Sequence, residues 1–252
     1  MSLELYYLLL LVTGFVAGII NTLAGGGSNL TLPALMVMGM PPDVANATNR
    51  VGVVFQSVSA VQGFHRHGRL PWQSVTPILM PTLVGGALGA LAAVFAPNTL
   101  LKPLLLGTMI TMAVIILVSP SVVAPAPDET PKAVSESPLG LAGLLFAGFY
   151  GGFVQAGVGF VLLAAISGAL RFDLVRANAL KVICALGFTL VALLIFVVDG
   201  LVAWVPGLVL AVGAMIGAHL AVKFAISVEQ RVLKWFLLVM TIVASAAALL
   251  SD

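Results

Sequence analysis

The chain has 252 residues, of which 61% are hydrophobic and 8% are charged, and its formal net charge is +2. A soluble domain carries roughly 25% charged residues, so this chain has too few polar side chains to coat a water-soluble globule. Apolar runs close to the roughly 18–20 residues that cross a bilayer recur along the sequence. The composition therefore predicts an all-α polytopic membrane protein that contacts the lipid bilayer, and it offers no basic face for nucleic acid.

Cysteine and motif content exclude several kinds of site. The single cysteine, Cys184, rules out an intrachain disulfide and a multi-thiolate metal centre. No nucleotide-binding motif is present in the sequence, so we expect neither a metal nor a cofactor. The first residues, "MSLELYYLLLLVTGF", lack the basic region of a signal peptide and predict a helix that is retained.

Ten apolar segments are predicted in chain order, five before and five after a polar linker. They cover about 3–22, 28–39, 43–64, 71–96 and 98–118 in the first half, and about 138–154, 158–170, 173–198, 201–226 and 229–250 in the second. The linker holds five prolines and four of the twenty charged residues, which indicates a solvated loop. We therefore divide the chain into an N-terminal transmembrane repeat (1–118), the linker (119–138) and a C-terminal transmembrane repeat (139–252).

The two halves match when the sequence is shifted by 132 residues. Matches between apolar residues are expected by chance in such a chain, but matches of asparagine, tryptophan, lysine and glycine at one offset are not. The matched pairs include Asn46 with Asn178, Gly68 with Gly200, Trp72 with Trp204 and Lys102 with Lys234. This pattern predicts an internal duplication.

Basic residues indicate that the two repeats cross the membrane in opposite directions, since cytoplasmic loops carry an excess of Lys and Arg. The loop between the third and fourth segments holds Arg66 and Arg69, whereas its counterpart holds Asp199 and no basic residue. The second half carries its basic residues at the other end, Arg171 among them. The sequence thus predicts inverted repeats, with a cytoplasmic linker and both termini outside, although Lys102 departs from the rule.

A glycine-rich break interrupts each half before its short segment. The first break is "NTLAGGGSNLTLP", residues 21–33, and the second contains Gly157 and Gly159, with Gln155 immediately before it. Each short segment would form only roughly 18 Å of helix, which predicts half-helices or re-entrant segments. Non-helical backbone is tolerated inside a bilayer only where it is buried in protein or lines a wet cavity.

Such breaks at corresponding positions of two inverted halves indicate a transporter binding site. The N-terminus of each short helix would favour an anion, because its backbone N–H groups and dipole point at the ligand. Ser28 or Asn29 would cap the first short helix or contact the ligand. The alternative is that the glycines only permit close helix packing.

Polar residues also begin the third and eighth segments. Asp43 and Asp173 are predicted helix N-caps. Asn46, Thr48 and Asn49 follow in the first half, at a depth where a polar side chain facing hydrocarbon would be expensive. We therefore expect these side chains to face the protein interior.

Two cations lie at the same depth: Arg50 in the first half and Lys181, near Asn178, in the second. Neither has an acidic residue one turn away, and an ionisable residue inside a membrane helix is by default a functional hypothesis. Uncompensated positive charge beside two helix N-termini predicts an anionic substrate. The alternative is that both long side chains snorkel to the membrane interface.

The run "AGIINTLAGGGSNLTLPALMVMGMPPDVANATNRVGV" resembles the signature of the sulfite exporter TauE/SafE family of bacterial membrane proteins. The resemblance covers nearly the whole chain and includes the segment Gly39 to Asn49, with a weaker copy from Arg171 to Lys181. It implies outward movement of small sulfur-containing anions, such as sulfite, sulfoacetate and related sulfonates, across the cytoplasmic membrane. The second half departs from the motif, because "AGVG" replaces "AGGG" and Leu180-Lys181 replaces Thr48-Asn49.

Together these observations predict a multi-pass secondary transporter that binds a small oxyanion between the two breaks. The residues expected at the site are Gly25, Gly26, Gly27, Ser28, Asn29, Asn46, Thr48, Asn49, Arg50, Gln155, Gly157, Gly159, Asn178 and Lys181. Two alternatives are an anion channel and an intramembrane hydrolase with Ser28 as nucleophile and His219 as base. The sequence leaves open whether the chain forms a homodimer.

Overall fold

The computed structural model describes residues 3–97, 99 and 130–228, and in this part of the chain it contains helices and no strands. The elements in order are α1 (Leu3–Leu23), α2 (Ser28–Val37), α3 (Pro42–Arg66), α4 (Trp72–Phe95), a 3-10 turn (Val134–Glu136), α5 (Pro138–Phe153), α6 (Val158–Leu163), a π-helix (Ala164–Ala169), α7 (Leu174–Val198) and α8 (Trp204–Ser227). The all-helical prediction is confirmed. The predicted segments 98–118 and 229–250, the paired Lys102 and Lys234, and most of the linker lie outside the described residues.

Four helices, α1, α4, α7 and α8, are long and apolar enough to cross a membrane. Their outward faces carry exposed large apolar side chains, such as Leu8, Val84, Leu194 and Ile216. Helix α2 has 10 residues and α6 has 6, so both are far shorter than the roughly 20 that a crossing needs. The two short segments predicted after the glycine breaks are therefore confirmed as short helices, the second of which continues as the π-helix.

Local signals set the helix starts. Asp173 caps α7 as predicted, because its carboxylate accepts the N–H groups of Val175 and Arg176 at 3.1 and 3.0 Å. The predicted cap at Asp43 is wrong: α3 begins at Pro42, and Asp43 lies in its first turn. The physical reason is that proline is pre-organised for the first helical position and starts the helix one residue earlier.

The helices of one half pack against those of the other half in the same pattern in both directions. Helix α1 packs along α8 just as α4 packs along α5, and α3 on α8 matches α4 on α7. Small residues allow the backbones to approach, since a Cβ at Gly18 would stand 2.3 Å from the carbonyl oxygen of Ala214. Likewise, a Cβ at Gly148 would stand 2.3 Å from that of Thr82. The first helix of each half, α1 or α5, thus packs against a helix of the other half.

The 132-residue offset also holds for unusual backbone conformations. Gly25 and Gly157 have φ of 98° and 72°, Gly68 and Gly200 have φ of 64° and 71°, and Gly39 and Arg171 have φ of 87° and 64°. A positive φ is uncommon outside glycine. Arg171 nevertheless has one, at the position that the offset pairs with Gly39. The agreement supports the predicted duplication independently of residue identity.

Candidate functional site

The two glycine breaks meet inside the protein. The N–H of Gly159 donates a hydrogen bond to the carbonyl of Gly25 at 3.3 Å. A Cβ on either glycine would stand 2.2 Å from the Cα of the other, so only glycine fits at this crossing. The breaks therefore bring the starts of α2 and α6 together between the two repeats.

The first break is held to α3 by side chains. Asn49 donates its amide to the hydroxyl of Ser28 at 3.1 Å, and Thr31 donates to the amide oxygen of Asn49 at 2.5 Å. The expected cap by Ser28 or Asn29 is wrong, because α2 has Gly27 at its cap position and no capping side chain. The physical reason is that the Ser28 hydroxyl contacts Asn49 on the neighbouring helix instead of its own backbone.

Arg50 caps the end of α5 in the other repeat. Its two terminal nitrogens donate to the carbonyls of Gly151 and Gly152, each at 2.7 Å. Asn46 donates to the next carbonyl, that of Phe153, at 2.8 Å. The final carbonyls of a helix lack partners within the helix and carry its negative dipole end, so a cation is a favourable cap there. Arg50 is 0% exposed, which excludes snorkelling.

Lys181 makes the reciprocal contact with the first repeat. Its ammonium donates to the carbonyl of Thr22, in the last turn of α1, at 2.9 Å and to the amide oxygen of Asn178 at 2.7 Å. Asn178 is the residue that the 132-residue offset pairs with Asn46. Lys181 is 2% exposed, so snorkelling is excluded here too. An ammonium has three donors, and the third has no partner among the described residues.

Two small cavities lie beside the crossing, and each has room for about one water molecule. The first, which we call the lysine cavity, is lined by Lys181, Gln155, Ser57, Gln56, Asn21, Gly25 and Gly159, among others. The second, which we call the serine cavity, is lined by Ser28, Thr31, Asn49, Gly27, Gln56 and Asn21, among others. Asn21, Val53 and Gln56 line both, so the cavities are neighbours.

Two buried polar atoms of residues that line the lysine cavity lack partners in the described part of the chain: the hydroxyl of Ser57 and the side-chain carbonyl of Gln155. Gln155 also has a φ of 67°, and its amide nitrogen donates to the hydroxyl of Thr189 at 2.9 Å. Backbone strain together with unpaired buried polar atoms is the combination that binding sites retain.

Electrostatically, the buried centre is positive. Across residues 3–97 and 130–228, neither Arg50 nor Lys181 forms an ion pair with an acidic side chain. The ion pair between Arg176 and Asp173, at 3.4 Å, lies at the exposed start of α7. The carbonyl ends of α5 and α1 supply partial negative charge to these two basic side chains.

Several predicted site residues line neither cavity. Thr48 accepts the N–H of Ala203 at 3.0 Å and so positions the start of α8. Asn29 is buried, and its side-chain oxygen has no partner among the residues that the structure describes, while Gly26 faces the ring of Phe160. Asn46 and Arg50 contact the end of α5, and Asn178 contacts Lys181, as described above. Gly157 provides the left-handed turn before α6.

The hydrolase alternative lacks its essential contact. Ser28 is 2% exposed and its hydroxyl contacts Asn49, whereas His219 lies on an exposed face of α8. A nucleophile and its base must lie within hydrogen-bond reach. No hydrogen bond joins these two residues, both of which the structure describes.

The sequence analysis missed four residues that line a cavity, Asn21, Thr31, Gln56 and Ser57, and Thr189, which contacts Gln155. Two signals in the sequence could have identified Gln56, Ser57 and Thr189. Val53, Gln56 and Ser57 follow Asn49 at the spacing of one helical face. Ser57 and Thr189 are paired by the 132-residue offset.

Comparison with known proteins gives a consistent result. The chain matches the model of the sulfite exporter TauE/SafE family over residues 10–248. It is 28% identical over 243 residues to a probable membrane transporter protein, ORF9, of Sinorhizobium sp., covering 96% of this chain and 92% of that protein. It is also 28% identical over 238 residues to a probable membrane transporter protein of Haemophilus influenzae, covering 94% and 92% of the two chains.

A third relative is the probable membrane transporter protein YfcA of Escherichia coli K12, with 28% identity over 240 residues, 95% of this chain and 88% of that protein. The family match spans most of the chain, and these relatives align with it over nearly their whole length. The chain therefore belongs to the sulfite exporter TauE/SafE family and is a multi-pass transporter of the cell membrane rather than an enzyme.

Proposed function

We propose that the protein exports small sulfur-containing anions, such as sulfite, sulfoacetate or other sulfonates, by alternating access, with the anion bound in the lysine cavity. The observation that carries the proposal is the ammonium of Lys181. It is buried at the crossing of the two breaks and lines a cavity, and in the described chain it contacts no carboxylate.

The cavity offers further donors to an oxyanion. The Ser57 hydroxyl has no partner in the described regions and can donate. The Gln155 amide can turn over, because the Thr189 hydroxyl can donate to its oxygen as readily as it accepts from its nitrogen. Lys181, Ser57 and Gln155 would then bind three oxygens of one sulfonate or sulfite group.

The size of the cavity favours a carrier over a channel. A space for about one water molecule is too small for sulfite, so the described conformation is closed around its site. The contact between Gly25 and Gly159 lies at the same place, and the two repeats must separate there to admit an anion. Movement between such closed and open states is the alternating access that inverted-repeat transporters use.

The membrane potential is a sufficient driving force for export. An anion leaving a cell with an inside-negative potential gains roughly 2.3 kcal/mol per charge per 100 mV. Uniport driven by the membrane potential is therefore sufficient for export. Coupling to a proton gradient is the alternative source of energy.

The test is uptake of radiolabelled sulfite and sulfoacetate into inside-out vesicles and proteoliposomes containing the purified protein. We expect saturable transport by the wild type and a loss of at least ~10-fold in Lys181→Gln, because a hydrogen bond to a charged group contributes about 1.5–3 kcal/mol. Arg176→Gln is the matched control, since it removes an exposed cation from the same helix.

Thermal unfolding in detergent establishes that each variant is folded. If the folded wild type moves none of the sulfur anions, the substrate assignment is wrong. If Lys181→Gln transports them normally, the binding site lies elsewhere.

A further inference from the structure

One glutamine on α3, Gln56, lines both the lysine cavity and the serine cavity. Asn49, Gly52, Val53 and Gln56 recur at the spacing of one helical face, and all four line the serine cavity, so the glutamine side chain points the same way. Gln56 is only 3% exposed. In the described part of the chain its amide makes no hydrogen bond, so a buried polar group faces two cavities without a partner.

The second half has phenylalanine where the first half has these polar residues. The 132-residue offset pairs Gln56 with Phe188 and Ser28 with Phe160. Phe188 is 0% exposed, and a Cβ at Gly151 would stand 2.6 Å from its ring. Neither phenylalanine lines the lysine cavity or the serine cavity. The corresponding position of the duplicate is thus filled by an apolar ring, so helix packing alone does not require an amide at Gln56.

An unpaired buried amide destabilises a folded protein, because it gives up its hydrogen bonds to water and gains none in exchange. A ligand that enters the cavity restores them. Lys181 and Gln56 line the same cavity, so an anion that binds the ammonium lies in the space that the amide faces. The amide N–H groups can donate to an anion oxygen without adding a second charge to the site.

We propose that Gln56 binds the transported anion and determines the largest anion that the carrier accepts. Its amide donates to an oxygen of the anion that Lys181 holds, and its side chain limits the space between the two cavities. Each cavity has room for about one water molecule, so a larger anion fits only when this side chain turns and the two spaces join. The inference rests on the proposed function, because the same lysine binds the charge.

Three substitutions separate the amide of Gln56 from the volume of its side chain. Gln56→Met keeps a side chain of similar length and removes the amide. Gln56→Asn keeps the amide and shortens the side chain by one methylene. Gln56→Phe copies the residue that the second half has at this position. Gln62→Met is the matched control, because Gln62 lies exposed on the same helix and lines neither cavity.

Counterflow of radiolabelled sulfite in proteoliposomes containing the full chain measures KM, and competition by methanesulfonate, ethanesulfonate and propanesulfonate compares anions of equal charge and increasing size. We expect Gln56→Met to raise the KM for sulfite ~10-fold, because a hydrogen bond to a charged group contributes at least about this factor. Gln56→Asn should improve inhibition by propanesulfonate ~10-fold relative to methanesulfonate, about the effect of one methylene in a fitted pocket. Gln56→Phe should abolish saturable counterflow, and Gln62→Met should match the wild type.

Thermal unfolding in detergent identifies the variants that are folded, and the methionine and asparagine variants test the proposal even if Gln56→Phe does not fold. A wild-type KM in Gln56→Met, together with a wild-type order of inhibition in Gln56→Asn, overturns the role of Gln56 and leaves the proposed function intact. An equal rise of KM in Gln62→Met also overturns it, because the effect would not depend on the cavities. If the folded wild type shows no counterflow of sulfite or of radiolabelled ethanesulfonate, the proposed function and this inference fall together.

Discussion

Gly25 and Gly159, which lie in different halves of the chain, are in direct backbone contact. A Cβ on either would stand 2.2 Å from the Cα of the other, and the N–H of Gly159 donates to the carbonyl of Gly25. No side chain fits between backbones this close, so the contact closes the space between the breaks. In the proposed alternating access, separation of these two residues would open the lysine cavity.

Gly159→Ala should destabilise the closed state. The added Cβ forces the two breaks apart, and overpacking of this kind costs about 1–3 kcal/mol. Thermal unfolding in detergent measures the loss, and vesicle uptake should show impaired transport. Gly39→Ala is the control: Gly39 also has a left-handed φ, of 87°, but nothing lies within 4 Å of its Cβ position. That variant should lose only about 1–2 kcal/mol for its backbone conformation and keep transport.

If Gly159→Ala were as stable as the wild type and transported normally, the two breaks would separate without a cost in free energy. The comparison with Gly25→Ala adds information, because Gly25 has both the close contact and a φ of 98°. Its loss should exceed that of either other variant.

Arg50→Lys should lower the stability of the protein strongly and its affinity for substrate only slightly. The planar guanidinium donates to the carbonyls of Gly151 and Gly152 from two separate nitrogens and lies 5.2 Å from the centre of the Phe196 ring, whereas an ammonium donates from one nitrogen and lacks the planar group that lies over the ring. We expect a loss of about 1–3 kcal/mol in the free energy of unfolding, the cost of an unpaired buried group. Because Arg50 lines neither cavity described here, KM should change little while the maximal rate falls.

Transport kinetics in proteoliposomes separate the two parameters. A large rise in KM with unchanged stability would contradict the capping role and would mean that Arg50 binds the substrate. Arg176→Lys, at the exposed start of α7, is the control for the chemical change alone.

The long helices could be predicted from the sequence because hydrophobic length and start signals are local. The segment predicted at 43–64 is the helix Pro42–Arg66, and the one predicted at 173–198 is Leu174–Val198. The predicted duplication came from residues matched at one offset, and the positive φ values at Gly25 and Gly157 agree with that offset. Helix type was not predictable everywhere: the π-helix Ala164–Ala169 continues a segment whose sequence suggests an ordinary helix.

The contacts of the buried cations could not be predicted. The absence of an acidic residue near Arg50 suggested that its charge serves the substrate, but its partners are backbone carbonyls 101 and 102 residues away. Backbone groups leave no trace in a side-chain pattern, so only the three-dimensional structure separates Arg50, a helix cap, from Lys181, which also lines a cavity. A search for charged residues likewise missed the neutral Gln56 and Ser57.

Asp173→Ala should destabilise α7 without altering the site. Its carboxylate accepts two backbone N–H groups at the helix start, and loss of such a cap costs about 1 kcal/mol. Thermal unfolding should record this loss, whereas KM for a transported anion should remain that of the wild type. Arg176→Gln removes only the exposed ion pair and should cost less, since exposed pairs contribute about 0–1 kcal/mol. Equal losses in the two variants would mean that the ion pair, not the cap, provides the stability.

Gln155 allows the backbone and side-chain contributions of the second break to be separated. Its φ of 67° favours glycine, so Gln155→Gly relieves about 1–2 kcal/mol of backbone strain, whereas Gln155→Leu retains it. Both variants remove the amide that lines the lysine cavity and contacts Thr189. We therefore expect the glycine variant to unfold at a higher temperature than the leucine variant, while both bind sulfonate several-fold more weakly than the wild type.

Thr189→Val provides the remaining control, because it removes the partner of Gln155 and leaves the amide in place. If the amide binds the anion, this variant should lose less affinity than Gln155→Gly. Full affinity in Gln155→Gly would instead mean that Gln155 only shapes the turn before α6, and that Lys181 and Ser57 bind the sulfonate without it.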